Sequence, residues 1–374
     1  MKRRYTIDEA AAWRRSRGWL VGCNYVPSYA VNQLDTWAVD TFDPSVIDHE
    51  LGMAEDLGFN SIRVFLHFFH VKYDRDGFYG RLDRFLDIAG RHGISVMPVF
   101  YTGGFNSYPK WGPQPDPLPG IHNSRWVQSP GADYLGDVSR HHELDGYVQD
   151  TIARYRDDGR IACWDLFNEP TCIRANEALK DKREKALALA ERTFRIAREA
   201  DPGQPLTIDC VFRGCGHAQQ HSDPANPTGG VDHGDEFELL SQSPIARLAL
   251  AESDVNSFHY YGPLDYLPHY INGLKAYGRP VLCTEWMARV VPEQNFMLML
   301  PELKRHGIGS YSLGLVAGRT NFIHCSLYPP EILNARGEPD VWYHDIYRKD
   351  GTPFSRAEVA CIRKLTGKDA AGGN

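Results

Sequence analysis

The feature of this sequence that most limits its possible folds is a regular alternation of short apolar runs with amphipathic segments. Eight runs are apolar and bounded by turn residues, as expected for buried strands. They are WLVGCNY (19–25), SIRVFL (61–66), ISVMPVF (94–100), IACWDLFN (161–168), LTIDC (206–210), DVNSFHY (254–260), PVLCTE (280–285) and GSYSLGL (309–315). Apolar residues at helical spacing predict helices within the intervals, at residues 47–54, 82–89, 144–152, 187–197, 264–277, 292–306 and 355–366.

Strands that alternate with helices pair in parallel, and eight such units in 374 residues fit a closed barrel better than an open doubly wound sheet. No G-x-G-x-x-G motif or P-loop follows the first run, so a dinucleotide-binding Rossmann fold lacks its main support. No composition break marks a second domain. The sequence therefore predicts an α/β protein, a single (β/α)8 TIM barrel over residues 1–374, with an N-terminal lead-in at 1–18 and a frayed tail at 367–374.

Two of the predicted connections are much longer than the others. Residues 101–141 follow the third candidate strand and are named loop 3 here, and residues 316–354 follow the eighth and are named loop 8. Both loops leave the carboxyl ends of their strands, which is the face where barrel enzymes carry their active sites. Because structureless loops of this length are usually functional, we expect both to border the site.

Composition and charge exclude several classes of partner. The formal net charge of -7 provides no basic field for a nucleic-acid backbone. No uncharged apolar run approaches the roughly 20 residues that span a bilayer. The basic N-terminus also lacks the apolar core of a secretory signal. We therefore expect a cytoplasmic protein with neither nucleic acid nor membrane as a partner; the sequence does not indicate an oligomeric state.

Polar residues occur where several candidate strands end, and strand parity predicts which of them face the barrel interior. Alternate residues of a strand share a face. The inward sets predicted in this way are Val281–Cys283–Glu285, Trp164–Leu166–Asn168, Arg63–Phe65–His67, and Val255–Ser257–His259 followed by Tyr261. Polar groups from four strands are thus expected to meet at one mouth of the barrel.

Two carboxylic acids, Glu169 and Glu285, are expected on opposite sides of this mouth. Cleavage of a glycosidic bond needs a proton on the leaving oxygen and a negative charge opposite the developing oxocarbenium ion. Arg63 beside Glu285 would keep that group charged, whereas a partly desolvated Glu169 would hold its proton near neutral pH. In this interpretation Glu285 attacks the sugar and Glu169 donates the proton.

The same residues form a recognisable set: W-x-x-x-N-E-P at Trp164–Pro170, H-x-Y at His259 and Tyr261, Arg63, and T-E-W at Thr284–Trp286. Over about residues 19–366 the chain resembles the clan A glycoside hydrolases, most closely glycoside hydrolase family 5. The resemblance implies a retaining double displacement without a cofactor, with Glu169 as acid/base and Glu285 as nucleophile. It further implies that Asn168 binds the sugar 2-hydroxyl and that Tyr261 hydrogen-bonds the nucleophile.

The substrate is less constrained than the chemistry. Trp126, Trp286 and Trp342 fall at or after strand ends, where an aromatic face can stack on a pyranose; Trp286 is the preferred platform and Trp342 the second. The long loops favour a walled pocket and exo action on a short oligosaccharide or glycoside, and resemblance alone favours a β-mannosidase. An endo-acting β-1,4-glucanase or mannanase and a non-catalytic carbohydrate-binding barrel remain open.

Histidine pairs in the sequence raise the possibility of a metal site. The pairs are His67 and His70, His141 and His142, and His217 and His221. None has a third ligand at suitable spacing, and the first strand is followed by no His-x-His motif. The sequence therefore predicts no metal.

Overall fold

The structure is a computed structural model that describes residues 2–172, 179, 181–213, 237–238, 240–325 and 333–369. Its strands are β1 (Val21–Asn24), β2 (Ser61–Phe65), β3 (Ser95–Thr102), β4 (Trp164–Asn168), β5 (Leu206–Thr207), β6 (Asp209–Arg213), β7 (Asn256–Tyr260), β8 (Val281–Trp286) and β9 (Gly309–Leu313). They pair in parallel in the order β5-β4-β3-β2-β1-β9-β8-β7-β6. Only Ile208 separates β5 from β6, so these two strands share the fifth place of a nearly closed barrel. The predicted (β/α)8 fold is confirmed.

Helices occupy the intervals between the strands. The described α-helices are Ile7–Arg17, Gln33–Thr36, Pro44–Asp56, Phe68–Tyr73, Arg75–Arg91, Ala132–Leu135, Asp145–Arg154, Lys182–Glu199, Pro244–Glu252, Leu267–Lys275, Met299–Arg305 and Arg356–Thr366. Two 3-10 helices cover Val138–Leu144 and Leu264–Tyr266. Local sequence sets several of the boundaries: Asp43 caps the helix that begins with Pro44 by accepting the Ser45 N–H at 2.8 Å. Among the helices of the described ranges, none is both long and apolar enough to cross a membrane.

The predicted lead-in closes the amino-terminal end of the barrel. A cluster of buried residues fills this end of the interior: Leu20, Met97, Cys163, Val255, Leu282 and Tyr311. Trp13 of the first helix packs against the cluster, and its Nε1 donates to the Ala162 carbonyl at 3.1 Å. Side chains that could do chemistry in the interior are therefore left to the carboxyl-terminal end. Of the predicted frayed tail, residues 370–374 lie outside the described residues.

Loops 3 and 8 are joined to each other at the carboxyl-terminal end. The Asn123 N–H of loop 3 donates to the Thr320 carbonyl of loop 8 at 2.8 Å, and Asn321 Nδ2 donates to the Leu118 carbonyl at 2.8 Å. Since β3 and β9 are separated by β2 and β1, these contacts cross over two strand ends. The described parts of the two loops therefore form one continuous wall along that side of the mouth.

Candidate active site

Arg63, in β2, is fully buried and organises the middle of the mouth. Its Nε and Nη2 donate to Oδ2 of Asp165 in β4 at 3.0 and 2.8 Å. Nη2 also donates to Asn168 Oδ1 at 2.7 Å, and Nη1 donates to Asn24 Oδ1 at 2.7 Å. Breaking a buried pair of this kind by removing one partner costs about 3–5 kcal/mol. The arginine therefore holds the ends of β1, β2 and β4 together, with Asp165 as its main counter-charge.

Glu169 follows β4 directly and is held in an unusual backbone conformation. Its φ is 46°, in the left-handed region that such residues rarely adopt. Its N–H donates to Asp209 Oδ1 at 2.8 Å, and the preceding carbonyl, of Asn168, accepts the Gly103 N–H at 2.8 Å. The side chain is nearly buried, and its Oε1 is hydrogen-bonded to His259 Nδ1 at 3.0 Å. The turn thus directs the carboxyl group across the mouth towards β7.

Glu285 lies opposite, in β8, with 13% of its side chain exposed. Oε1 accepts the Tyr261 hydroxyl at 2.7 Å, and Oε2 lies 3.8 Å from both Arg63 Nη1 and His259 Nδ1. Burial raises the pKa of Glu285 and the charge of Glu169 adds to this, whereas His259, Arg63 and Tyr261 lower it. The net effect is a raised pKa of Glu285. Arg63 favours the ionised form of this carboxyl group, as expected, but its effect is smaller than that of desolvation.

The two carboxyl groups lie close together at the mouth. One carboxylate oxygen of Glu169, one of Glu285 and a ring nitrogen of His259 lie within 4.8 Å of one another. The structure also brings Arg63, Asn168 and Tyr261 into contact with this group. The convergence predicted from the strand ends is therefore found, while the role of each residue stays a prediction.

The same three side chains could in principle hold a cation. Two features of their surroundings argue against this use: the Arg63 guanidinium lies 3.8 Å from Glu285 Oε2, and the Tyr261 hydroxyl donates to the other oxygen. A positive charge so close disfavours a second one. These neighbours therefore make Glu169 and Glu285 an unfavourable site for a cation.

Two of the paired histidines are structural. His67 Nε2 lies 3.4 Å from the Gln128 carbonyl, and His70 Nε2 lies 3.1 Å from the Leu34 carbonyl. Burial lowers the pKa of both rings to about 3. His141 is likewise buried, with Nε2 3.2 Å from the Leu135 carbonyl, whereas His142 is exposed. The remaining pair, His217 and His221, lies outside the described residues.

The predicted parity of β8 is wrong, although Glu285 does face inward. Val281 and Cys283 pack in the core between barrel and helices, together with Trp286. The register shifts between Cys283 and Trp286 relative to β9, and between Phe258 and His259 of β7 relative to β8. A bulge adds one residue to a strand and reverses the side-chain alternation after it. This irregularity turns Glu285 towards the mouth.

The predicted parity of β4 is also wrong. Trp164 and Leu166 pack in the outer core, and Asp165 between them reaches Arg63 in the interior. Asn168 nevertheless joins the site, because it lies at the strand end where the chain turns into Glu169. The predicted alignments of Arg63 in β2 and His259 in β7 agree with the structure, since both side chains reach the site.

Two of the three predicted sugar platforms are corrected by the structure. Trp286 is 0% exposed, donates through Nε1 to Ser310 Oγ at 2.9 Å and meets the Phe296 ring edge-on. Trp342 is also 0% exposed and stacks on Phe354 with centroids 5.3 Å apart. Neither ring presents a face to a ligand. Trp286 is buried on the outer side of the barrel because side chains alternate along a strand, and the residue that follows an inward-facing Glu285 points outward.

Trp126, from loop 3, is the tryptophan that lies beside the site. Its ring meets Phe65 edge-on at 5.0 Å, and Phe65 in turn lies 5.0 Å from the Arg63 guanidinium carbon. The two rings belong to an apolar cluster of Val26, Ala30, Phe65, Val99, Trp126, Leu313 and Phe322. Trp126 therefore borders the mouth, but its side chain is also buried, at 3% exposure, and sugar stacking by its ring stays a prediction.

Sequence reasoning missed three polar residues of the site: Asn24, Asp165 and Asp209. Asp165 and Asp209 stand inside the apolar runs WDLFN and LTIDC, and an acid in a buried strand was the available signal. Asp209 is 4% exposed, and its pKa is raised to about 7: burial is the largest cause, His259 lowers the pKa, and the charges of Asp165 and Glu169 raise it.

Comparisons with known proteins give distant relatives. No protein-family model matches the chain. The probable mannan endo-1,4-β-mannosidases F of Aspergillus flavus and Aspergillus oryzae are each 23% identical over 221 residues, which is 55% of this chain and 41% of theirs. The chain thus spans less than half the length of these curated relatives.

Similar solved structures cover nearly the whole chain. The GH5_18 protein of Streptomyces cattleya, solved with GlcNAc and with Manβ1-4GlcNAc, is 15% identical with a TM-score of 0.60, over 96% of this chain and 82% of that one. The exo-β-1,4-mannosidase of Opitutaceae bacterium strain TAV5 is 19% identical with a TM-score of 0.55, over 94% and 60%. The resemblance to glycoside hydrolase family 5 is therefore confirmed by structural neighbours from that family, whose (β/α)8 fold this chain shares, and by distant relatives among the mannanases.

Proposed function

We propose that this protein is a retaining glycoside hydrolase of family 5 that cleaves β-mannosidic bonds. The observation that carries the proposal is the short separation of the two acids, whose nearest oxygens lie within 4.8 Å. Retaining enzymes keep their carboxyl groups about 5–5.5 Å apart, and inverting enzymes about 6.5–9.5 Å apart, to leave room for a water. The spacing of Glu169 and Glu285 suits direct attack by a carboxylate.

The reaction then proceeds in two displacements. Glu285 attacks the anomeric carbon, the bond to the leaving oxygen breaks, and Glu169 gives its proton to that oxygen. Glu169 next takes a proton from water, which attacks the glycosyl-enzyme ester and releases Glu285 as a carboxylate.

The neighbouring side chains fit these roles. The Tyr261 hydroxyl fixes Oε1 of Glu285, which orients the carboxylate for attack. His259 contacts Glu169 and lies 3.8 Å from Glu285, between the two acids. Asn168 uses Oδ1 to accept from Arg63, so Nδ2 is the group that it can offer to a sugar hydroxyl oxygen.

For the substrate, we infer exo action on a short β-mannoside. Two observations support this choice: loops 3 and 8 are joined into a wall beside the mouth, and structural neighbours include an exo-β-1,4-mannosidase and a GH5_18 protein solved with Manβ1-4GlcNAc. The rival is an endo-mannanase, the activity named for the curated relatives and for the structural neighbour from Rhizomucor miehei. An endo enzyme needs an open groove at the mouth for a polymer.

Activity on Manβ1-4GlcNAc and p-nitrophenyl β-mannoside, compared with activity on mannan polymer, tests the proposal. We expect mannose from the first two and little cleavage of the polymer; the reverse order would favour the endo rival. NMR of the first product should give the β-anomer. Glu285→Gln and Glu169→Gln should each lose activity by at least about a thousandfold. Glu302→Gln, in the helix Met299–Arg305 with 21% of the Glu302 side chain exposed, is the matched control.

Full activity in Glu285→Gln against every cleaved substrate would refute the assignment of the nucleophile. Absence of cleavage in the wild type would instead favour the carbohydrate-binding barrel. The cytoplasmic location expected from the sequence stays a prediction, which fractionation of the source cells would test.

A further inference from the structure

Asp209, at the start of β6, contacts the backbone of the proposed proton donor. Its Oδ1 accepts the Glu169 N–H at 2.8 Å, and the side chain is buried with 4% exposure. Glu169 has a φ of 46°, a strained conformation for such a residue. A buried hydrogen bond to its N–H opposes the loss of this conformation, and more strongly when the acceptor is charged. The contact with Asp209 therefore helps to hold the strained turn.

This contact comes from a different strand than the other bonds of the turn. The Gly103 N–H, after β3, donates to the Asn168 carbonyl at 2.8 Å, and the Cys172 N–H donates to the Glu169 carbonyl at 3.0 Å. Both of these bonds join main-chain groups, so no side-chain substitution removes their donor or acceptor directly. Asp209 ties the turn to β6 through a side chain, so a substitution there can test its contribution.

Asp209 also carries a charge that acts on the site. The groups that face it are Asp165 in β4, Glu169 in the turn and His259 in β7. Burial raises the pKa of Asp209 to about 7, so the group ionises within the working range of a neutral enzyme. Once ionised, it places negative charge next to Glu169, and a like charge disfavours the loss of the Glu169 proton.

We propose that Asp209 is a positioning residue for the acid/base step. It holds the turn that carries Glu169. Its negative charge also lets Glu169 keep its proton up to a higher pH. This inference rests on the function proposed above. Asp209 touches neither the sugar nor the reacting atoms, so it acts through Glu169.

Two variants separate the hydrogen bond from the charge. Asp209→Asn keeps an oxygen that can accept the Glu169 N–H and removes the charge. We expect kcat/KM for Manβ1-4GlcNAc at its optimum to stay near the wild-type value, and the alkaline limb of its pH profile to move down by about one pH unit. Asp209→Ala removes the acceptor as well, and we expect about a 10- to 100-fold loss of kcat/KM on this substrate.

The leaving group provides a second readout. Departure of 2,4-dinitrophenol from its β-mannoside needs no proton, so the pre-steady-state burst with that substrate should be nearly unchanged in Asp209→Ala. The matched control is Asp35→Asn in the short helix Gln33–Thr36 after β1. Asp35 is also buried, with 5% exposure, and accepts one main-chain N–H, that of Val31 at 3.0 Å. It should leave the pH profile and the leaving-group dependence unchanged.

If the alkaline limb of Asp209→Asn matched that of the wild type, the role of the charge would be wrong. If Asp209→Ala lost activity equally with both leaving groups, Asp209 would be a structural residue only. Thermal unfolding identifies a misfolded variant, and Asp209→Ser then serves as the neutral variant with an oxygen acceptor. Failure of the proposed function is distinguishable, because it appears as inactivity of the wild type. That outcome overturns the present inference as well.

Discussion

Gly103, the first residue after β3, should be essential for the position of the proposed proton donor. A Cβ added at this glycine would lie 2.1 Å from the Glu169 carbonyl oxygen and 3.3 Å from that of Pro170. Gly103 is not among the glycines with a positive φ, so lack of space, rather than backbone conformation, requires glycine here. Gly103→Ala is therefore a specific perturbation of the turn that carries Glu169.

The magnitude follows from the clash. A contact at 2.1 Å must open by about 0.9 Å to reach 3.0 Å, below which real Cβ contacts are essentially never found, and both neighbours are main-chain atoms that cannot rotate away. Displacing a catalytic group by about 1 Å costs on the order of 100-fold in rate. We expect kcat/KM of Gly103→Ala on p-nitrophenyl β-mannoside to fall by about this factor, while the barrel stays folded.

A second glycine provides the matched control. Gly80, in the exposed part of helix Arg75–Arg91, has nothing within 4 Å of the position of an added Cβ. Gly80→Ala should leave kcat/KM unchanged and stabilise the protein by up to about 1 kcal/mol, because alanine favours the helix. If Gly103→Ala kept kcat/KM within about twofold of the wild type, the carbonyl could move without the carboxyl group, and the proposed coupling of β3 to the acid would be wrong.

Three further predictions concern pH and stability. Tyr261→Phe removes a hydrogen bond that lowers the pKa of Glu285, so the acidic limb of the kcat/KM profile should move to higher pH, by about half a unit to one unit. Trp13→Ala, at the opposite end of the barrel, loses a 3.1 Å bond to the Ala162 carbonyl; we expect about 2 kcal/mol lower stability in urea unfolding with unchanged kcat. Burial raises the pKa of Asp345 to about 8 from an ordinary value near 4. Between these pH values the folded protein keeps a proton that the unfolded chain releases, so the stability that this group contributes is complete in acid and is lost as pH rises towards 8. The unfolding temperature of the wild type should therefore fall between pH 5 and 8.5 more steeply than that of Asp345→Asn.

The barrel could be predicted from the sequence because its signal is repeated along the chain. All eight predicted apolar runs overlap strands. One run, LTIDC, corresponds to two short strands, β5 and β6, instead of one. The facing of individual side chains was less predictable. A bulge in β8 reverses the alternation before Glu285, and nothing in VLCTEW indicates where an extra residue enters the ladder.

Some errors came from signals that the sequence did contain. An inward Glu285 requires an outward Trp286 by simple alternation, which excludes the tryptophan as a sugar platform. In WDLFN the acid between two large apolar residues is more informative than the alignment of Trp164 with Asn168, because a buried acid needs a partner. That partner is Arg63, at 2.8 Å.

The balance of charge at the mouth explains why one carboxyl group can remain protonated near neutral pH. Two of the three side-chain nitrogens of Arg63 donate to Asp165. Glu169, Glu285 and Asp209 are therefore stabilised as anions only by the more distant charge of Arg63 and by the imidazole of His259. Burial raises the pKa of both Glu285 and Asp209, and ionisation of either one raises the proton affinity of its neighbours. Three buried acids with so little compensation resist losing all their protons together. The charge balance at the mouth therefore favours keeping one proton among them, which is the condition that a general acid has to meet.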